Sequence, residues 1–376
     1  MRILQLLSCR GWSSDAYWAA GISVALERAG HEVTLVCKRG TEDRVVQRAR
    51  ESGTKRIETL TFTSGVKPAR DLGDLRQMLR WLPTVDVVHV HRGKEHWLAA
   101  MANRLSTTPR PLVRTRHIVQ PIRPHVLNRW LYREATALVV TVTDAIRRQY
   151  LAAGLVPPEK IVTLPGGVDV TRFHPAVDGA DARRALGMAE DVPLIGLVSG
   201  LRMMKGHQVT IDAAQRVADT GRRLQMLFIG RGAFEGRIRE QIAKAGLARA
   251  ITLLGFVPDL PSTLAALDIG LYPAMESDGM SRVLFEYLAV GTPVVASRVG
   301  VVSEVLEDGK SACLVPAGEP AALAAAIDRL SSDRAAARAL GTAGAALVQE
   351  RLSSDRVASE LARLYARLTP REARAA

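Results

Sequence analysis

The sequence predicts two α/β domains in tandem, each built on a parallel sheet, and three observations carry that prediction. Short apolar runs alternate with helical stretches along the whole chain, the pattern of βαβ units. The runs Val87–Val90 and Leu138–Thr141 are nearly continuous in apolar residues, as strands covered on both faces must be. The stretch Leu164-Pro-Gly-Gly-Val-Asp-Val-Thr-Arg-Phe-His-Pro175 then breaks the alternation before it restarts. A chain of 376 residues also exceeds one ordinary core.

In the first half, residues 2–7 form an apolar strand. Residues 17–29 have helical periodicity and stop at Gly30, a helix terminator. Residues 31–37 place Val33, Leu35 and Cys37 on one face of a strand. A polar helix over 43–51, a strand over 56–61 and a helix over 71–81 follow. Strands are expected over 85–91, 112–115 and 137–142, with helices over 95–105 and 126–134. In the second half, strands are expected over 194–199, 225–229, 251–254, 269–272, 293–297 and 312–315. Helices are expected over 206–220, 234–245, 260–266, 282–290 and 320–330. A closing helix over 354–368 carries Leu361, Leu364 and Leu368 at three- and four-residue spacing. The expected domains are 1–165, a linker over 166–190, and 191–353, with 354–376 crossing back to the first domain. Ligands of such domains bind at the carboxyl ends of the strands.

Composition narrows the class. Apolar residues make up 47% of the chain, enough for filled cores, and no run of eighteen apolar residues exists to span a membrane. The N-terminal apolar run is too short for a secretory signal. Three scattered cysteines match no zinc spacing and fit a reducing cytoplasm. The net charge of +13 is lopsided: residues 1–164 hold 26 Lys and Arg against 14 Asp and Glu, leaving 25 against 24 for the remainder. That asymmetry points to an anionic partner for the first half, or to a merely soluble basic surface.

The stretch from Glu276 to Ala296 carries the most chemistry. Glu286 lies eight residues after Asp278, a little over two helical turns, so one carboxylate sits at the helix mouth and the other deeper. Backbone N–H groups of Gly279, Met280 and Ser281 would point out of that mouth, where the helix dipole favours an anion. A nucleotide sugar, an anion flanked by hydroxyls, fits such a place. Arg202 and Lys205 follow the strand over 194–199 and precede a helix. Arg binds phosphate bidentately, and Lys acts as a point charge.

Further landmarks run along the chain: Ala29-Gly-His-Glu-Val33, Asp86-Val-Val-His-Val-His91, Thr115-Arg-His117, Pro165-Gly-Gly-Val-Asp169 and Gly200-Leu-Arg-Met-Met-Lys-Gly206. Gly230-Arg-Gly232, Gly255-Phe-Val257, the acidic pair and Gly291-Thr-Pro-Val-Val-Ala296 complete the series. Read in order, these stretches resemble glycosyltransferase family 4 over essentially the whole length. The resemblance implies the GT-B fold, two Rossmann-like domains facing across a cleft. It implies a retaining transfer of a hexose-type sugar from a nucleotide diphosphate to a glycan or glycolipid hydroxyl in cell-envelope polysaccharide or lipopolysaccharide synthesis. Arg202 and Lys205 would grip the diphosphate, Glu286 the ribose, and Asp278 the sugar. The family pattern is Glu-x7-Glu, and here Asp stands first; Glu276 would give a spacing of nine. His117 would contact the sugar or reaction centre, with Arg114 and Arg116 serving phosphates or acceptor. Gly11 would lie near the phosphates, and Gly230, Phe256 and Val257 near the base. Trp12 and Asp15 would recognise the acceptor, while Tyr17 and Trp18 either stack on a sugar or fill the core.

No Asp-x-Asp metal signature ends an apolar strand, so the expectation is a diphosphate held by cations with no metal ion or other cofactor. Arg123, His125, Arg129 and Arg133 fall among Leu127, Trp130, Leu131 and Tyr132, a candidate interfacial helix. A peripheral position on the inner face of the cytoplasmic membrane is therefore expected, with no nucleic-acid partner. Two rival readings are a sugar-nucleotide 2-epimerase of the same fold and a non-catalytic basic protein that binds glycan or nucleic acid.

Overall fold

The computed structural model describes residues 1–276, 279–280 and 282–369. The chain divides into two compact units: Met1–Gly167 with the segment from Ser353 onward, and Val168–Leu352.

The first unit is a seven-stranded parallel sheet. Its strands are β1 (Arg2–Leu7), β2 (Glu32–Lys38), β3 (Arg56–Leu60), β4 (Val87–Val90), β5 (Leu112–Arg116), β6 (Leu138–Thr141) and β7 (Ile161–Thr163), in the order β3-β2-β1-β4-β5-β6-β7. β4, β5 and β6 are buried throughout, which explains the near-continuous apolar sequence of β4 and β6, while β5 buries Arg114, Thr115 and Arg116 as well. Helix Ser14–Arg28 approaches β1 through Ala16, Ala19 and Ala20, all buried. Helix Ser354–Leu368 lies on that helix, with Arg28 Nη2 donating to Asp355 Oδ1 at 2.8 Å.

The second unit is a six-stranded parallel sheet of β8 (Leu194–Val198), β9 (Gln225–Ile229), β10 (Ile251–Leu254), β11 (Ile269–Tyr272), β12 (Val294–Ser297) and β13 (Cys313–Val315). Its order is β10-β9-β8-β11-β12-β13, so strand order reverses beside β8 as it does beside β1 in the first unit. Both units are thus doubly wound, and the expected pair of parallel α/β domains holds.

Three readings are corrected. Segment 166–190 is no linker: Val168 and Phe173 are fully buried in the second unit's core, and Arg183 ties to Asp268 at 2.9 Å. Gly166 and Gly167 fall in the first unit, and Gly187, at φ +67, turns the chain within the second. Strand β7 and helices Asp144–Ala152, Val301–Val305 and Arg334–Leu347 escaped the sequence reading. β7 is only three residues long, Asp144–Ala152 buries only Ile146 and Tyr150, and Arg334–Leu347 packs through Ala and Gly, which mark no apolar stripe. In the basic segment over 126–134, Leu131 and Tyr132 belong to the core, while Val126 and Leu127 are exposed.

Phe173→Ala should lower the second unit's stability by about 3–5 kcal/mol, the cost of an aromatic-sized core cavity. Urea unfolding measures this, and a change under about 0.5 kcal/mol, as at an exposed site, would restore the linker reading.

Candidate active site

Where strand order reverses, the loops after two neighbouring strands diverge and leave a crevice at their carboxyl ends. In the second unit those strands are β8 and β11. The loop after β8 carries Arg202 and Lys205 into helix His207–Asp219, and the loop after β11 leads to helix Arg282–Ala289. The two loops are stitched together: Met275 N donates to Met204 O at 2.9 Å. Gly206 makes this approach possible. It has φ +75, and a Cβ there would stand 1.9 Å from Pro273 O. Any other residue would push the Arg202–Lys205 loop off its neighbour. Arg202 is exposed, while Lys205 is buried.

The β9 loop closes on the same place. Leu201 N donates to Arg231 O at 3.1 Å, and Gly230 at the end of β9 sits against Ser199 O. Arg231 spreads its guanidinium beside Gly255, next to Phe256 and Val257. Phe256 is exposed, and Val257 is half-buried on the core. Gly279 is left-handed at φ +106 and Met280 is buried. Asp278 and Ser281 lie outside the described residues; Glu276 is exposed.

Glu286 is fully buried. Arg282 Nε donates to its Oε1 at 2.7 Å, and its buried Oε2 has no hydrogen-bond partner among the described residues. Leaving a buried acceptor unsatisfied costs about 1–3 kcal/mol. The neighbouring Tyr287 fixes the helix. Its hydroxyl donates to Gly196 O at 3.0 Å and accepts from Val198 N at 2.8 Å, both on β8. The absence of a Cβ at Gly270 makes room, because one would stand 2.7 Å from the Tyr287 ring.

The first unit holds a buried polar network at the ends of β1, β4 and β5. His91 Nε2 meets Gln5 Oε1 at 2.8 Å, and His91 Nδ1 meets His117 Nε2 at 3.1 Å. Because Gln5 Oε1 can only accept, His91 carries its proton on Nε2, and His117 must donate from its own Nε2. That leaves His117 Nδ1 a bare acceptor, and it has no partner among the described residues. His89 joins Tyr365 OH and Thr115 Oγ1, each at 2.6 Å, and so ties the closing helix to β4. Burial, foremost, lowers the His89 and His117 pKa values to about 3 and those of His91 and His96 well below the ordinary range.

Other first-unit residues fall differently from expectation. Arg114 is buried within β5 beside Glu95, away from any phosphate role at the surface. Arg116 is largely buried and donates to Gln120 O at 2.6 Å. Tyr17 and Trp18 are core residues, with Trp18 edge-on to His117 at 5.3 Å. Gly11 and Trp12 line an open hollow of about 580 Å³. Asp15 pairs with Arg92 and accepts from Ser13; burial alone would raise its carboxyl, but Arg92 leads the groups that hold it at about 2. His91, Gln5, Arg92 and Tyr287 were missed in the sequence. One signal was present: His89 and His91 share a strand face inside an otherwise apolar run.

A family model described as glycosyl transferases group 1 matches residues 192–333, and one described as Glycosyltransferase Family 4 matches residues 18–172. The chain is 32% identical over 297 residues to the phosphatidyl-myo-inositol mannosyltransferase of Mycobacterium leprae, covering 76% of this chain and 75% of that protein. It is 30% identical over 294 residues to the D-inositol 3-phosphate glycosyltransferase of Nocardia farcinica, covering 71% of this chain. The match spans 63% of that relative's length, less than two thirds. Among solved structures, Anabaena HepE in complex with UDP superposes with a TM-score of 0.82 at 20% identity, covering 98% of this chain and 100% of that one. That likeness is one of fold.

The buried imidazoles set a pH dependence. Above about pH 6.5 they are neutral in the folded and unfolded chain alike. As pH falls from there towards about 3, the unfolded chain binds protons that the folded His89 and His117 refuse. Stability should therefore fall with pH by about 1.4 kcal/mol per unit for each such imidazole. Urea unfolding at stepped pH checks this, and His89→Gln should make the fall shallower. A flat profile between pH 6.5 and 4.5 would sink the assignment.

Proposed function

The chain belongs to glycosyltransferase family 4, and from that premise we propose that it is a retaining glycosyltransferase. It moves a hexose-type sugar from a nucleotide diphosphate to a glycan or glycolipid hydroxyl, in cell-envelope polysaccharide or lipopolysaccharide synthesis. One observation carries this reading: the buried Glu286, whose Oε2 has no partner among the described residues, stands on the helix whose preceding loop is stitched to the Arg202–Lys205 loop. In this reading Arg202 and Lys205 meet the diphosphate, and Glu286 meets the ribose hydroxyls. The UDP bound by HepE and the lipid named in the mannosyltransferase relative fit the same reading.

In this proposal the bond between the anomeric carbon and the diphosphate oxygen breaks. The acceptor oxygen bonds to that carbon on the same face of the sugar, and its proton passes to the departing phosphate oxygen. Negative charge builds on the leaving diphosphate. Arg202 and Lys205 stabilise that charge more than they stabilise the ground state. Positioning supplies much of the remaining rate. With the charge met by side chains, the proposal requires no metal ion. Asp278 or Glu276 would contact the sugar, and His117 Nδ1 would accept from a sugar hydroxyl. Gly279, Met280 and Ser281 would face the diphosphate, and Gly230, Phe256 and Val257 the base.

The proposed location is cytoplasmic and peripheral, on an anionic membrane surface. No described helix is long and apolar enough to cross a membrane. Val126 is 80% exposed and Leu127 61%, flanked by the exposed Arg123, Arg129 and Arg133. Trp130 behind them stacks on Trp97 at 5.9 Å. Apolar tips ringed by arginine suit an anionic interface.

Arg202→Ala and Lys205→Ala should each lower kcat at least about a hundredfold, the scale for removing one transition-state charge partner. Full activity in the double variant would refute the role. Donor incubated without acceptor separates the rivals: epimerised sugar would favour the epimerase, and absence of donor binding the binding protein. Val126→Ser with Leu127→Ser should abolish co-sedimentation with anionic vesicles, and wild-type binding should weaken as salt rises. Equal binding to neutral and anionic vesicles would reject the electrostatic part.

A further inference from the structure

The second unit has a cavity of about 670 Å³ at the amino ends of its strands, opposite the ends that carry the Arg202–Lys205 loop. Pro193, Asp268 and Pro293, which immediately precede β8, β11 and β12, form one wall, and helix Arg334–Leu347 forms the other. Gly341 sets how closely the walls meet, since a Cβ there would stand 2.0 Å from Gly291 O. The buried Leu267 and Val290 give an apolar floor, and Arg334 and Arg338 stand at the rim. Both arginines are exposed, and neither has an ion pair among the described residues. Their placement works against the helix. Like charges four residues apart repel, and Arg334 opens the helix at the end where its dipole disfavours a cation. The nearby carboxylates do not cancel them. Asp268 is paired with Arg183 at 2.9 Å and accepts from Leu194 N at 2.8 Å. Asp333 caps the helix, accepting from Ala335 N at 3.1 Å and from Ala336 N at 2.9 Å. Even with Asp333 counted in full, three arginines stand against two carboxylates, an excess of one positive charge.

We propose that this cavity binds a small amphipathic monoanion, a carboxylate on an apolar body, with Arg334 and Arg338 as its charge partners. An excess of one charge matches a monoanion, and the guanidinium fork matches a carboxylate bidentately. An anion between the two arginines relieves both their mutual repulsion and their conflict with the dipole. A concave site of this volume, apolar inside with a few polar groups at its edge, suits a small molecule. The site does not depend on the glycosyltransfer reading, because it uses the opposite ends of the strands.

The test is isothermal titration of the full chain with octanoate, acetate, octanamide and octyl phosphate, with and without excess UDP or GDP. One octanoate should bind per chain, at least tenfold tighter than acetate, which lacks the apolar body, and than octanamide, which lacks the charge. The nucleotides should not displace it. Arg334→Gln combined with Arg338→Gln should weaken octanoate at least tenfold and leave the melting temperature unchanged, both residues being exposed. Ala346→Trp, at an exposed position lining the cavity, should block octanoate while keeping both charges. Equal affinity for octanoate and octanamide, several octanoates per chain, insensitivity to both variants, or displacement by nucleotide would each overturn the site. Tighter binding of octyl phosphate than of octanoate would reassign the cavity to a phosphate ester and also overturn the carboxylate. Octanoate binding without nucleotide binding would uphold this site and count against glycosyltransfer alone; nucleotide binding without octanoate binding would do the opposite.

Discussion

Tyr287 gives its hydroxyl proton to Gly196 O and takes one from Val198 N, and the second unit's crevice depends on that bridge. The ladder between β11 and β8 runs only through Ile269 with Ile195 and Gly270 with Gly196. Beyond it the two strands part, and β8 would be left with unpaired backbone groups at the edge of the opening. An orphaned buried N–H costs about 1–3 kcal/mol. The phenol satisfies the backbone while leaving the strands apart. Because Tyr287 adjoins Glu286 in sequence, the same bond fixes where the carboxylate sits. Glycine at 270 is the accompanying requirement, since the ring lies where a side chain would be.

The first unit meets its own switch point with a different device. Gln5 on β1, His91 just after β4 and His117 just after β5 form one hydrogen-bonded line. Its direction is set at Gln5, whose carbonyl oxygen cannot donate, and it ends at His117 Nδ1. A neutral imidazole line is compatible with burial where a charged one would not be. Of the surrounding ions, Arg92 and Lys94 are neutralised by Asp15 and Asp71, and the buried Arg114 lies beside the buried Glu95.

Much of this was legible in the sequence because it is local. Strand and helix periods marked twelve of the thirteen strands in the order found. Arg202 and Lys205 were visible as a basic pair in a strand-to-helix loop, and Glu286 as a carboxylate among apolar helix residues. What stayed hidden depends on partners far apart in the chain. Nothing near Phe173 says that it fills a core, since its neighbours are turn residues. His89 finds Tyr365 across 276 positions. Lys38 reads as an ordinary strand end until the Thr61 and Phe62 carbonyls are folded onto it. The basic segment over 126–134 misled for the opposite reason: one short helix serves the surface with Val126 and Leu127 and the core with Leu131 and Tyr132.

The first unit is discontinuous in the chain, and this bears on how the protein is made. Domains usually fold in the order in which they leave the ribosome. Here Val168–Leu352 is a single uninterrupted stretch, complete before Ser354–Leu368 has been synthesised. The earlier-born half must wait, with His89 lacking its tyrosine and Ser14–Arg28 lacking its cover, until the closing helix arrives. The half synthesised first is therefore expected to mature last.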